Sequence, residues 1–154
     1  MADYFFDSSA LVKRYVQEVG SAWVCRLTDP PAGNVTIVSR ITGVEVVSAL
    51  TRKARGGGIS AADARAAIAK FRGEFTTGFA VLEITPGLLA EAVRMAEAHR
   101  LRAYDAVQLA AALELKTRLL ADGLAPPMII SADNDLNSAA QAEGFVVDDP
   151  NAHP

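Results

Sequence analysis

The sequence predicts an α/β fold, a three-layer α/β/α sandwich around a five-stranded parallel sheet. Five short β-like apolar runs are separated by longer helical patterns, an order that implies parallel pairing with helices on both faces. The chain is 51% hydrophobic but only 6% aromatic, so its core is aliphatic and alanine-rich, which suits helices packed on a sheet.

Tyr4-Phe5-Phe6 is the first strand and ends on Asp7. Ser8 and Ser9 can cap a helix in which Leu11, Val12, Tyr15, Val16 and Val19 recur at threes and fours, with Gly20 as its stop. Ser21 opens a short helix through Leu27, and Pro30-Pro31-Ala32-Gly33 breaks the chain. Val35 to Val38 is the second strand, and a helix follows Ser39 as far as Arg55, where Gly56-Gly57-Gly58 ends it. Ser60 starts a helix to about Phe75, and Phe79 to Ile84 is the third strand. Thr85-Pro86 is a helix start, since proline at the first helical position gives up a donor that lacks a partner anyway. That helix reaches His99. A further alanine- and leucine-rich helix spans about Tyr104 to Ala121, stopped by Gly123. Met128-Ile129-Ile130 is the fourth strand, a short helix runs from Asp133 or Asn134 to Gly144, and Phe145-Val146-Val147 is the fifth. Residues 1–148 thus form one domain, and 149–154 a polar tail expected to fray.

Several function classes are excluded. At 154 residues the chain buries a core without disulfides or a structural metal. Its single cysteine, Cys25, is expected to be a small buried residue and rules out an internal disulfide or a multi-cysteine zinc site. The two histidines, His99 and His153, are far apart in sequence. The start MADYFFDSS lacks the basic and apolar segments of a signal peptide, and no stretch approaches the ~20 apolar residues of a membrane span. The expectation is a soluble cytoplasmic protein. A net charge of −3 leaves no bulk basic footprint, so nucleic acid would have to be met by a local patch.

The informative residues are acids. Ligands of an open parallel sheet bind beyond the carboxyl ends of its strands, and Asp7, Ser131 and Asp133 follow strands directly. Glu45 and Asp105 stand in apolar surroundings near the starts of two helices, in TGVEVVSAL and LRAYDAVQLAAA. Each acid has an ordinary explanation: Asp7, Asp105 and Asp133 as helix caps or dipole partners, Glu45 as a side chain reaching water. Their co-location at one sheet edge favours a shared pocket. Carboxylates gathered there repel one another and call for a counter-charge. Without histidine or thiolate, the donors are oxygens, which suit Mg²⁺ or Mn²⁺.

FFDSSALVKRY around Asp7, TGVEVVSAL around Glu45, LRAYDAVQLAAA around Asp105 and IISADNDL around Asp133 together resemble the PIN-domain family, specifically the VapC-type ribonuclease toxins of toxin–antitoxin modules. The resemblance implies a Mg²⁺ or Mn²⁺ site lined by Asp7, Glu45, Asp105 and Asp133. Asp7 and Asp105 would be direct ligands, and Glu45 and Asp133 would complete the pocket directly or through water. Asp135, Ser131 and Ser8 are possible accessories, the serines also reading as turn and cap residues. It implies endonucleolytic hydrolysis of RNA leaving a 5′-phosphate on one product, a homodimer, and a VapB-type antitoxin partner.

Candidate RNA contacts are Lys13 and Arg14, then Arg52 and Lys53 with Arg55, and Arg100 and Arg102 just before Asp105; each run also reads as a solvated helix face. Gly56-Gly57-Gly58 is no phosphate loop, because no Gly-Lys-Ser/Thr follows. An aspartyl-nucleophile phosphatase would want an aspartate where Ser9 stands, and a receiver domain would want one where Thr85 and Pro86 stand. The alternative from another class is a metal- or RNA-binding scaffold of the same fold without turnover.

Overall fold

The structure is a computed structural model describing residues 1–154. Five parallel strands, β1 (Asp3–Phe6), β2 (Val35–Ser39), β3 (Ala80–Leu82), β4 (Met128–Ile130) and β5 (Val147–Asp148), lie in the order β3-β2-β1-β4-β5. The helices are α1 (Ser8–Leu11), α2 (Ser21–Thr28), α3 (Thr42–Arg55), α4 (Ala61–Thr77), α5 (Pro86–His99), α6 (Ala103–Ala121) and α7 (Asn134–Ala142).

Successive strand residues face opposite sides, and this splits the core in two. Phe5, Ile37 and Ile129 pack with Leu88 and Met95 of α5, Leu109 of α6 and Leu136 of α7. Phe6, Val38 and Ile130 pack with Leu11 of α1, Val24 of α2, Leu50 of α3 and Phe71 of α4. Three layers follow, as the sequence predicts.

Strand order reverses direction at β1. Both β2 and β4 flank it, with Phe5 opposite Ile37 on one side and Ile129 on the other. The crevice beyond the carboxyl ends of β1 and β4 is therefore the topological switch point where such sheets bind ligands.

The first helix departs from expectation. It ends after α1, continues as a 3-10 turn over Val12–Arg14, and never reaches Val19. Side-chain hydrogen bonds to the following loop, and one from Lys13 to Asn151, hold the chain off the helical path there. Ser21 Oγ donates to Val16 O, and Lys13 Nζ donates to Val19 O. Val19 itself is exposed. β3 is shorter than the predicted 79–84 run. β5 begins only at Val147, because Phe145 turns into the core and the ladder pairs Ile129 with Val147 and Ile130 with Asp148.

The segment 149–154 does not fray. Pro150 is buried, Asn151 Oδ1 accepts from Lys13, and the His153 ring stacks on Trp23 with centroids 4.1 Å apart. Gly20, at φ +85°, makes this docking possible, since a Cβ there would lie 2.2 Å from Pro150 O. Cys25 is half-buried rather than buried. No helix is long and apolar enough to cross a membrane.

Candidate active site

The end of β1 delivers Asp7 to the switch point, where its N–H donates to Ile130 O of β4 at 3.0 Å. The residue is 2% exposed. Oδ2 caps α1 by accepting from Ser9 N at 3.0 Å, and also accepts from Ser9 Oγ at 2.5 Å. Oδ1 is buried and has no hydrogen-bond partner at all. Burial raises the Asp7 pKa above its ordinary value; the bonds from Ser9 and Ser8 oppose this, and the nearby charge of Asp133 adds to it.

Ser9 also ties β1 to β4, because its Oγ accepts from Ala132 N at 3.0 Å. With its one proton given to Asp7, its 3.4 Å contact with Ser131 Oγ leaves Ser131 as the donor. Ser131 Oγ in turn accepts from Asp133 N, and Asp133 Oδ1 caps α7 by accepting from Leu136 N at 2.8 Å. The capping explanation of Asp7 and Asp133 is thus correct, and it coexists with their place at the site.

Glu45 lies in the first turn of α3. Gln108 of α6 holds it, donating from Nε2 to Glu45 Oε1 at 2.6 Å and to Thr42 Oγ1 at 2.9 Å. Burial and the charges of Asp7 and Asp105 push Glu45 up to about 7, against the lowering effect of Gln108 and Ser8. Asp105, in the first turn of α6, is raised to about 6 by burial and by Asp133, Asp7 and the more exposed Asp135, with Arg102 opposing. The four acids named from the sequence therefore share one electrostatic environment. They edge a pocket of about 500 Å³ lined by Ser8, Ser9, Glu45, Asp105 and Asp133, with Asp7 buried immediately behind this lining.

Of the candidate RNA contacts, only Arg52 and Arg102 line the pocket. Lys13 is buried and bonded to Glu18, Val19 O and Asn151. Arg14 is held by Glu74, Asp29 and Thr28. Both point inward to structural partners and stand outside the pocket lining. Lys53 pairs with Glu18, and Arg100 occupies a left-handed helix end outside the pocket lining.

The PIN domain family profile matches residues 4–142 and so spans all four acids. The chain belongs to the PIN-domain family. Two curated relatives from Mycobacterium tuberculosis, "Ribonuclease VapC45" (strain CDC 1551 / Oshkosh) and "Ribonuclease VapC49" (strain ATCC 25618 / H37Rv), are each 30% identical over 141 residues, covering 91% of this chain and 90% of the relative. The family member in hand is thus of the VapC type. A solved structure titled "Crystal structure of PAE2754 from Pyrobaculum aerophilum" superposes with a TM-score of 0.63 at 22% identity, over 98% of this chain and 85% of that one, and supports the fold alone.

Within this PIN domain the donor set is tested by Asp7 Oδ1, a buried carboxyl oxygen without a partner, amid three further acids. An uncompensated group of this kind is costly, and a divalent cation would compensate it. No three of the carboxylates stand close enough to hold an ion by themselves. An ion bound here would therefore take one or two carboxylates and keep much of its water, the way in which Mg²⁺ is commonly held. Sequence reasoning gave Ser9 only a capping role and passed over Gln108. The signal for Gln108 was a polar side chain in the middle of an otherwise apolar, fully buried run from Ala106 to Ala112.

Proposed function

We propose that this PIN domain is a Mg²⁺- or Mn²⁺-dependent endoribonuclease, the toxin of a toxin–antitoxin pair whose partner is a VapB-type antitoxin. The observation that carries this reading is the partnerless buried oxygen of Asp7 at the switch point, among carboxylates that raise one another's pKa. The VapC-type relatives, named as ribonucleases, support the choice of RNA.

In this reading Asp7 and Asp105 hold the ion, and Glu45 and Asp133 hold its water shell. When bound, the ion polarises the phosphodiester and makes a water nucleophilic at neutral pH. The water oxygen bonds to phosphorus, the bond from phosphorus to the 3′ oxygen breaks, and the departing 3′ alkoxide takes a proton from solvent water, leaving a 3′-hydroxyl on one product and a 5′-phosphate on the other. Glu45, anchored through Oε1 by Gln108, accepts the proton of the attacking water in this reading. Ser9 orients Asp7, and Arg52 and Arg102 meet phosphate oxygens at the pocket edge.

The test is incubation of antitoxin-free protein with a mixed RNA pool and Mg²⁺ or Mn²⁺, beside EDTA and Asp7→Asn controls. Cleavage lost in both controls, with 5′-phosphate ends, is the expected result. A folded protein that leaves RNA intact with either metal would favour a scaffold without turnover.

A further inference from the structure

The acidic pocket carries three groups at its lip whose side chains have no hydrogen-bond or ion-pair partner in the fold. Tyr104, the second residue of α6 and the neighbour of Asp105, lines the pocket and is 56% exposed. The other tyrosines are engaged, Tyr4 with Phe6 and Tyr15 with Phe71, whereas the Tyr104 ring meets neither a ring nor a cation. Arg52 and Arg102 are the pocket's cations, and neither is in an ion pair.

A single exposed tyrosine is ordinary on any surface. This one is set apart by its support and its company. Leu101, Ala106 and Val107 are buried on either side of it, so the backbone that carries the ring is fixed by the core. Val44 of α3, also exposed, lines the same pocket and adds apolar surface. A flat apolar ring beside two free guanidinium groups is the pairing that single-stranded nucleic acid uses, bases stacking on the ring and phosphates meeting the cations. A base inside a duplex is already stacked on both faces and cannot offer one.

Resting on the ribonuclease reading above, we propose that Tyr104 is the stacking platform for an unpaired base next to the scissile phosphate, between phosphates met by Arg52 and Arg102. Sequence tolerance at this position follows, because every base has a π-face to present.

The experiment measures fluorescence anisotropy of a labelled mixed-sequence RNA strand of about twelve nucleotides, alone and annealed to its complement, with Mg²⁺ and an Asp7→Asn background to stop turnover. The single strand should bind at least about five-fold tighter than the duplex. Tyr104→Ala should weaken single-strand binding about ten-fold without altering its salt dependence, and Tyr104→Phe, which keeps the ring, should rescue it. Arg102→Gln should instead reduce the salt slope by about one. Equal binding of duplex and single strand, or a Tyr104→Ala protein that binds as its parent does, would overturn the platform. Cleavage by wild-type protein decides how far the damage spreads. If it cleaves RNA while Tyr104→Ala has no effect, the platform alone falls. If it neither binds nor cleaves RNA, the ribonuclease reading and the platform fall together.

Discussion

The hydroxyl of Ser9 stands 2.5 Å from Oδ2 of Asp7 and 3.0 Å from the backbone nitrogen of Ala132, so one side chain both fixes the central carboxylate and joins the two strand ends that form the crevice. Ser9→Ala removes a bond to a buried carboxylate and strands a backbone N–H, a loss of about 1–3 kcal/mol. A thermal melt should show the midpoint falling by several degrees. Because Ser9 lowers the Asp7 pKa, its removal should also shift the acid limb of the activity profile to higher pH. Ser131→Ala, which touches no carboxylate in the hydrogen-bond network, should leave that limb in place. Coincident limbs in wild type and Ser9→Ala would refute the positioning role.

Asp7→Asn separates the energetic cost of the site from its use. Burial holds the Asp7 pKa up, so its ionised form costs stability whenever no cation compensates it. The variant keeps an oxygen for Ser9 but carries no charge. Metal-free at pH 8, it should melt higher than wild type. Added Mg²⁺ or Mn²⁺ should raise the wild-type midpoint by mass action and leave the variant nearly unmoved, while RNA cleavage by the variant falls by at least about a hundred-fold. A wild-type midpoint indifferent to both metals would count against the metal site itself.

Glu45 and Asp105 make the metal-free protein pH-sensitive in a predictable direction. Their folded pKa values, about 7 and about 6, lie above the ordinary 4.5 and 3.8. Below the ordinary values both states are protonated, and no penalty exists. As pH rises, the unfolded chain ionises first, so the contribution to stability is lost between pH 3.8 and about 6 for Asp105 and between 4.5 and about 7 for Glu45. Melting midpoints measured without metal should decline across that span. Glu45→Gln should flatten the upper part of the curve. Metal affinity should run the opposite way, weakening below about pH 7 as protons compete for the same oxygens. A wild-type curve that rises from pH 5 to 7 in EDTA would contradict this account.

The alternation of apolar runs and helices was enough to read the layers, because the central strands β1, β2 and β4 are largely buried and Asp7, Ser60, Thr85 and Asp133 cap the helices they precede. Asp7, Glu45, Asp105 and Asp133 were legible for a related reason: carboxylates in apolar stretches cost energy unless something compensates them. What stayed hidden depended on tertiary contact. Nothing local distinguishes Ser9 from Ser8 as the partner of Asp7, since the decisive atom is Ala132 N, 123 residues away. The early end of the first helix likewise follows from Lys13 reaching Val19 O and Asn151. The docked tail needed Trp23 and His153 to meet across the fold, which no periodicity announces.

Lys13 and Arg14 look, in sequence, like a basic patch for RNA, and the structure assigns them to stability instead. Lys13 Nζ, buried, bonds to Glu18 at 3.2 Å and to Val19 O and Asn151 Oδ1 at 3.0 Å each. Arg14 makes two 2.9 Å bonds to the Glu74 carboxylate, which also accepts from Tyr15 Oη at 2.5 Å. Against the effect of burial, Arg14 and Tyr15 hold Glu74 below its ordinary pKa, while burial first and then the Glu74 carboxylate push Tyr15 well above its own. Replacing either cation by methionine keeps the bulk but leaves partly buried acceptors unpaired, at a cost of roughly 2–4 kcal/mol. Denaturant melts should register that loss, while the folded fraction binds single-stranded RNA within about two-fold of the parent. Arg52→Gln and Arg102→Gln should show the reverse. Exposed substitutions change stability by no more than about 0.5 kcal/mol, whereas removing a cation from a phosphate reduces the salt slope of binding. If Lys13→Met binds RNA with a diminished salt slope and melts normally, its ammonium reaches the substrate after all, and the inward hydrogen-bond network is not the one the protein uses.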